Sequence, residues 1–196
     1  MDNKFIKNPV KDNYSILYFE VMKGLEIGFE EYIVLQIMLK FSKRNEIKLD
    51  KSLISKTLCI SRNTLDKVLV KLISKGHINK VEAQGKAYYI SVDVKEKFEI
   101  AGLYVKIYHK HRKLLKLSLK QYAFLYMIYS LSKKYDSKIA IAGKEKYCDF
   151  LNISKSHYDT TKGKFKEANL IEPQKNHFLK LNIDVFNWFE SRNVQS

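Results

Sequence analysis

Residues 60–76 read ISRNTLDKVLVKLISKG, and the fold turns on this stretch. Ser61 is a good N-cap, because its hydroxyl can accept a bond from a backbone N–H of the first helical turn. Leu65, Val68, Leu69 and Leu72 then recur at helical spacing and form one apolar stripe. Arg62, Asn63, Thr64, Lys67 and Lys71 lie off that stripe. Gly76 closes the helix at a position that usually requires φ > 0. Just upstream, Lys51 to Leu58 reads as a short helix, and only Cys59-Ile60 separates the two. A tight break between two short helices, the second polar and basic at its N-terminal end, is the helix-turn-helix pattern. Downstream, HINKVEAQGKAYYISV (residues 77–92) predicts two strands around a turn at Ala83-Gln84-Gly85. A hairpin placed directly after a recognition helix is a wing, so the unit reads as a winged helix.

The same frame occurs twice. Shifted by 90 residues, Tyr14–Asn45 overlays Tyr104–Tyr135 without gaps, with eight of 32 positions identical, among them Tyr18/Tyr108, Tyr32/Tyr122 and Leu35/Leu125. The register then slips by three, so that Ile60-Ser61 meets Ile153-Ser154, Asp66 meets Asp159 and Lys71 meets Lys164. A repeat of this length means two copies of one small domain. The expectation is a mainly α protein with small β wings (α+β), built as two tandem winged helix-turn-helix domains over residues 1–100 and 101–196. Each copy opens with an extended segment (Tyr14–Glu20; Tyr104–Lys110). A long helix follows (Phe29–Arg44; Leu119–Tyr135), then a short β segment, the helix pair and the wing. In copy two the helix pair is Lys144–Leu151 and Lys155–Ala168, and the wing turns around Pro173 to Asn176. A short helix, Val185 to Arg192, closes the chain, and Val94 to Phe98 is its counterpart in copy one. The copies differ in one respect. Copy two has Lys162 and Phe165 where copy one has Leu69 and Leu72, and Gly163 sits mid-helix, which costs about 1 kcal/mol against Ala.

The composition narrows the function classes. With 36 Lys+Arg against 21 Asp+Glu the formal charge is +15, which favours an anionic partner, most commonly nucleic acid. A hydrophobic content of 45% is enough for packed cores. Cys59 and Cys148 belong to no CxxC pair and read as free, buried thiols of a reducing compartment. The N-terminus has no apolar signal region, and the most apolar run, Tyr122–Leu131, is about half of the ~20 residues that span a bilayer. The expectation is a cytoplasmic protein with no membrane contact. No Asp or Glu occurs between Ile100 and Tyr135. The basic stretch with Lys106, Lys110, Arg112, Lys113 and Lys116 therefore reads as a phosphate-facing surface.

The segments LSLKQYAFLYMIYSLSKK (117–134), GKEKYCDFLNISKSHYDTTKGKFKEANLI (143–171) and FLKLNIDVFNWF (178–189) together resemble the N-terminal winged helix-turn-helix of phage replisome-organiser and related replication proteins. The first copy, GLEIGFEEYIVLQIML (24–39) and LISKTLCISRNTLDKVLVKLISKGHI (53–78), fits the same frame. Tandem winged helices also resemble plasmid replication initiators and several transcription regulators. The resemblance implies a DNA-binding protein of a phage, plasmid or other mobile element, acting at an origin or an operator, with replication or transcription proteins as further partners.

The chemistry of recognition then assigns residues. A helix in the major groove reads base edges from its N-terminal turns. Arg62 suits guanine, Asn63 suits adenine, Thr64 can meet a thymine methyl, and Ser61 caps this reading end. Lys67 and Lys71 are placed for phosphates. Lys155, Ser156 and His157 are the counterparts in copy two, with Lys162 and Lys164 as cations. The wings offer Gln84 and Lys86, and Lys175, Asn176 and His177. The partner is double-stranded DNA, with two unlike half-sites about one helical turn (~10 bp) apart; a homodimer stays open. No nucleotide-binding, hydrolase or metal-site motif occurs, so no catalysis, cofactor or metal is expected. His109-Lys110-His111 has the spacing seen in single-strand nickases, but its cationic surroundings disfavour a divalent metal. The alternative reading is a protein-interaction module that binds an acidic host or replication partner through its winged helices.

Overall fold

A computed structural model describes residues 14–41, 46–48, 51–83, 86–91, 104–134, 138–172, 174 and 178–193. The chain divides into two compact units, Asn13–Leu119 and Lys120–Ser196. Both are mostly helical, with small antiparallel sheets.

The unit Asn13–Leu119 begins with β1 (Tyr14–Tyr18), α1 (Phe19–Gly24) and α2 (Phe29–Phe41). Next come β2 (Glu46–Lys48), α3 (Lys51–Leu58), α4 (Arg62–Ser74) and the hairpin β3 (Ile78–Ala83) and β4 (Lys86–Ser91). It ends with β5 (Tyr104–Tyr108) and α5 (His109–Leu114). Strands β2, β4 and β3 form a three-stranded antiparallel sheet in that order, running from Ile78 opposite Ser91 to Ala83 opposite Lys86. Gln84 and Gly85 of the expected turn lie outside the described residues. The apolar stripe of α4 is buried as its spacing requires: Leu65 and Leu72 are 0% exposed, and Val68 and Leu69 are close to it. The helix packs on α2, where Ile33, Leu35 and Ile37 are buried. Burying one such side chain contributes about 1.5–3 kcal/mol.

One local expectation needs correction. The opening segments do not stay extended to Glu20 and Lys110, because the chain turns into the six-residue helices α1 and α5 after Tyr18 and Tyr108. The strands β1 and β5 also pair with each other, antiparallel, with Ile16 opposite Lys106. Tyr14 packs on Tyr108 and Tyr18 on Tyr104, at ring-centroid distances of 5.5 and 5.8 Å. A lone strand leaves its backbone donors and acceptors unmet, and pairing of the two opening segments satisfies one edge of each. Segments that open the second sequence copy thus fold into the unit of the first. The boundary expected near residue 100 lies outside the described residues, as does the expected counterpart helix at 94–98.

The unit Lys120–Ser196 holds α6 (Leu119–Lys134), which starts one residue before it, then β6 (Ile139–Ala140) and α7 (Lys144–Leu151). It continues with α8 (Lys155–Glu167), β7 (Ile171–Glu172), β8 (Leu179–Leu181) and α9 (Ile183–Asn193). The sheet order is β6-β8-β7. Its core is aromatic where that of the other unit is aliphatic. Phe124, Tyr147, Tyr158 and Phe165 stand where the first copy has Val34, Ile54, Leu65 and Leu72. Phe124 is at the centre, with ring centroids 4.9, 5.1 and 5.4 Å from Tyr147, Tyr158 and Phe165. A second aromatic group joins α9 to α6, where Phe189 packs against Tyr122, Tyr126 and Tyr129.

Candidate nucleic-acid interface

The two helix pairs are assembled by the same interactions. Ser61 has the extended backbone of an N-cap, and its Oγ accepts from Thr64 N at 3.0 Å. Ser154 does the same for His157 N at 3.1 Å. The Thr64 hydroxyl lies 2.8 Å from Ser61 Oγ, so both side chains serve the cap. The Lys51 ammonium donates to Asp66 Oδ1 at 2.6 Å, tying the start of α3 to the second turn of α4. Lys144 and Asp159 repeat that pair between α7 and α8. Both members recur at one 93-residue shift, so the sequence carried this signal, although only the Asp66/Asp159 match stands out on first reading.

These bonds leave the N-terminal turns of α4 and α8 facing solvent. Arg62, Asn63 and Lys67 are exposed on α4, and Lys155, Ser156, His157 and Lys164 on α8. Thr64 is half-buried. Lys155 Nζ pairs with Glu145 Oε1 at 3.1 Å, with both side chains about two-thirds exposed at 67%. The Glu145 backbone N–H, and after it Lys155, hold this carboxyl below the ordinary carboxylate value. A solvent-exposed pair of this kind is weak and exchanges readily for another anion. Lys162 differs from its neighbours because it occupies a stripe position and is half-buried. Burial, and then Lys166, lower its pKa below the usual lysine value.

At the far end of α4, Lys71 and Lys75 meet Glu31. The Glu31 side chain is only 8% exposed; Lys75 lies 2.7 Å from its Oε2 and Lys71 3.8 Å from its Oε1. Glu31 also accepts from Gly28 N at 3.1 Å, the N3-to-cap bond of a helix start. Lys75 further donates to Glu26 O at 2.7 Å, and His77 Nε2 to Leu25 O at 3.0 Å. Lys71 therefore has a carboxylate neighbour as well as an exposed ammonium. Gln121 stands in the place of Glu31 in the second copy, and Ala168 in that of Lys75.

The wing residues are less fully described. Lys86 opens β4, and its side chain lies outside the described residues, as do Gln84, Lys175, Asn176 and His177. The basic stretch 106–116 needs a correction, because it is not one phosphate-facing surface. Lys106 is 8% exposed and Arg112 is 9% exposed. Arg112 Nη1 donates to Leu117 O at 3.0 Å, and Nη2 to Leu58 O and Cys59 O, both at 3.1 Å. Lys110, Lys113 and Lys116 are exposed. His109 and His111 are buried, with His109 Nε2 2.9 Å from Ser15 Oγ. Among the described residues no group of three His, Cys, Asp or Glu could hold a metal ion, and no helix is long and apolar enough to cross a membrane. Cys148 is buried as expected, whereas Cys59 is half-exposed; both are free thiols.

Comparison with known protein families, with curated proteins and with solved structures gives no match.

Proposed function

We propose that this chain is a sequence-specific double-stranded DNA-binding protein made of two winged helix-turn-helix modules. In this reading α4 and α8 are the recognition helices and the hairpins after them are the wings. The observation that carries it is the repeated geometry of the two helix pairs. Each has a Ser cap and a Lys–Asp tie, and each leaves polar and basic side chains exposed on the first turns of the second helix. That is the end of a recognition helix that reaches base edges. Arg62 and Asn63 read one half-site, and Lys155, Ser156 and His157 read the other, with no catalytic step and no cofactor. The net charge of +15 supplies the non-specific part of the affinity. The biological setting, taken from the sequence resemblance, is an origin or operator of a phage, plasmid or other mobile element, in replication initiation or transcriptional regulation.

Affinity for a duplex as a function of salt tests the electrostatic half of the proposal. With about six to ten phosphates neutralised, affinity falls roughly 10³–10⁵-fold between 50 and 200 mM salt. Affinity that is independent of salt, or tight capture of an acidic protein with no duplex binding, contradicts it.

A further inference from the structure

We infer that Arg112 is a positioning residue for the first recognition helix, acting through the turn that joins α3 to α4. Its effect on DNA rests on the reading of α4 given above; its effect on the turn does not.

The two helix pairs share one turn geometry. After α3, Cys59 N donates to Lys56 O at 3.3 Å and Ile60 N to Ser55 O at 3.1 Å. After α7, Asn152 N donates to Asp149 O at 3.4 Å and Ile153 N to Cys148 O at 3.0 Å. This is a helix C-terminus closed through one left-handed residue. That residue is Asn152 at φ 46° in the second pair and Cys59 at φ 51° in the first. Asn is one of the few non-glycine residues that enter this region readily, because its short polar side chain bonds locally. Cys59 lacks that intrinsic preference, and its Sγ makes a weak contact to Lys56 O at 3.6 Å.

The first turn has an external support instead. Leu58 is the last residue of α3, where helix carbonyls lack intrahelical partners and where a positive charge is favoured. Arg112 places one Nη2 on both Leu58 O and Cys59 O at 3.1 Å. A planar guanidinium with fixed donors can hold two carbonyls together, which a flexible ammonium does less well. The anchor is itself held. Arg112 Nη1 bonds Leu117 O at 3.0 Å, and α5 follows directly from β5, which pairs with β1. The repeat counterpart of Arg112 is Met22, which has no donor. Both turns are closed by the same backbone bonds, but the left-handed residue is an asparagine in one, and in the other a cysteine held by an arginine more than 50 positions away. Arg62 and Asn63 follow the clamped turn within four residues, and base reading requires placement within about 0.5 Å.

Amide hydrogen exchange on the full chain tests the clamp, comparing wild type, R112M, R112K and each variant combined with C59N. In R112M the Ile60 amide exchanges at least tenfold faster, while the Ile153 amide keeps its wild-type rate. R112K gives a smaller acceleration, and it carries the test if R112M does not fold. Adding C59N returns Ile60 most of the way to the wild-type rate. Duplex affinity follows the same order, falling at least tenfold in R112M and recovering in the double variant. An unchanged Ile60 rate overturns the inference. So does equal acceleration at Ile60 and at the α4 core amides of Leu69 and Leu72, which marks general loosening, and so does failure of C59N to rescue. Absence of duplex binding by wild type removes the proposed function, and the exchange data still decide the clamp.

Discussion

Gly163 lies in the middle of α8, where a Cβ would meet no atom within 4 Å. Its counterpart on α4 is Val70, 66% exposed, so a side chain is accommodated at this helix position in the other copy. Gly163→Ala therefore raises stability by about 0.5–1 kcal/mol, since alanine has less backbone freedom to lose on folding. Urea denaturation measures this as a higher midpoint at unchanged slope, and a lower midpoint contradicts it. Residues whose role is local were legible in the sequence: the Ser61 cap, the Gly76 stop at φ 72° and the weak helix position at Gly163. Arg112 and Lys106 were not. A run of cations without acids looks like a solvent-facing surface, and only carbonyls distant in the chain show that Arg112 is inside. Glu31 was not legible for the same reason, although its place three residues after Gly28 at a helix start is a usable signal.

At the scale of elements, α3, α4 and α7 were readable, α4 most firmly because its Ser61 cap and apolar spacing agree. The helices α1 and α5 were not, since six residues give fewer than two helical periods and each follows its strand without a break. The start of α2 carries a prediction for pH. Burial alone would raise the pKa of Glu31, but the Lys75 hydrogen bond, the Gly28 N–H and the Lys75 and Lys71 charges outweigh it and hold it below 4.5. A carboxyl whose pKa is depressed in the folded state stabilises fully above its unfolded value, and that contribution is lost as pH falls through the folded value. The wild-type advantage over Glu31→Gln is therefore constant from neutral pH to about pH 5 and shrinks below about 4.5. At pH 7 the substitution costs about 1–3 kcal/mol, because it leaves a bonded lysine without its partner charge. Urea denaturation of both proteins at pH 7, 5 and 3 measures the difference. A gap that widens on acidification contradicts the assignment.

Over the whole molecule, the repeat was legible from eight identities in 32 positions, and the aromatic replacement of one aliphatic core follows it position by position. The sequence copies and the compact units nonetheless part company, because β5 finds its strand partner in β1, and no local pattern announces a pairing 86 or more residues apart. In the proposed function, two unlike helix ends, one led by Arg62 and one by Lys155, read two unlike parts of a single DNA site. The most direct test is selection of bound sites from a random duplex library by wild type, Arg62→Ala and Lys155→Ala. The expected result is one enriched site with two distinct parts, the first losing its preference in Arg62→Ala and the second in Lys155→Ala, each typically by about 1–3 kcal/mol per base pair. No enriched sequence, or the same blurring of the whole site by either substitution, contradicts it.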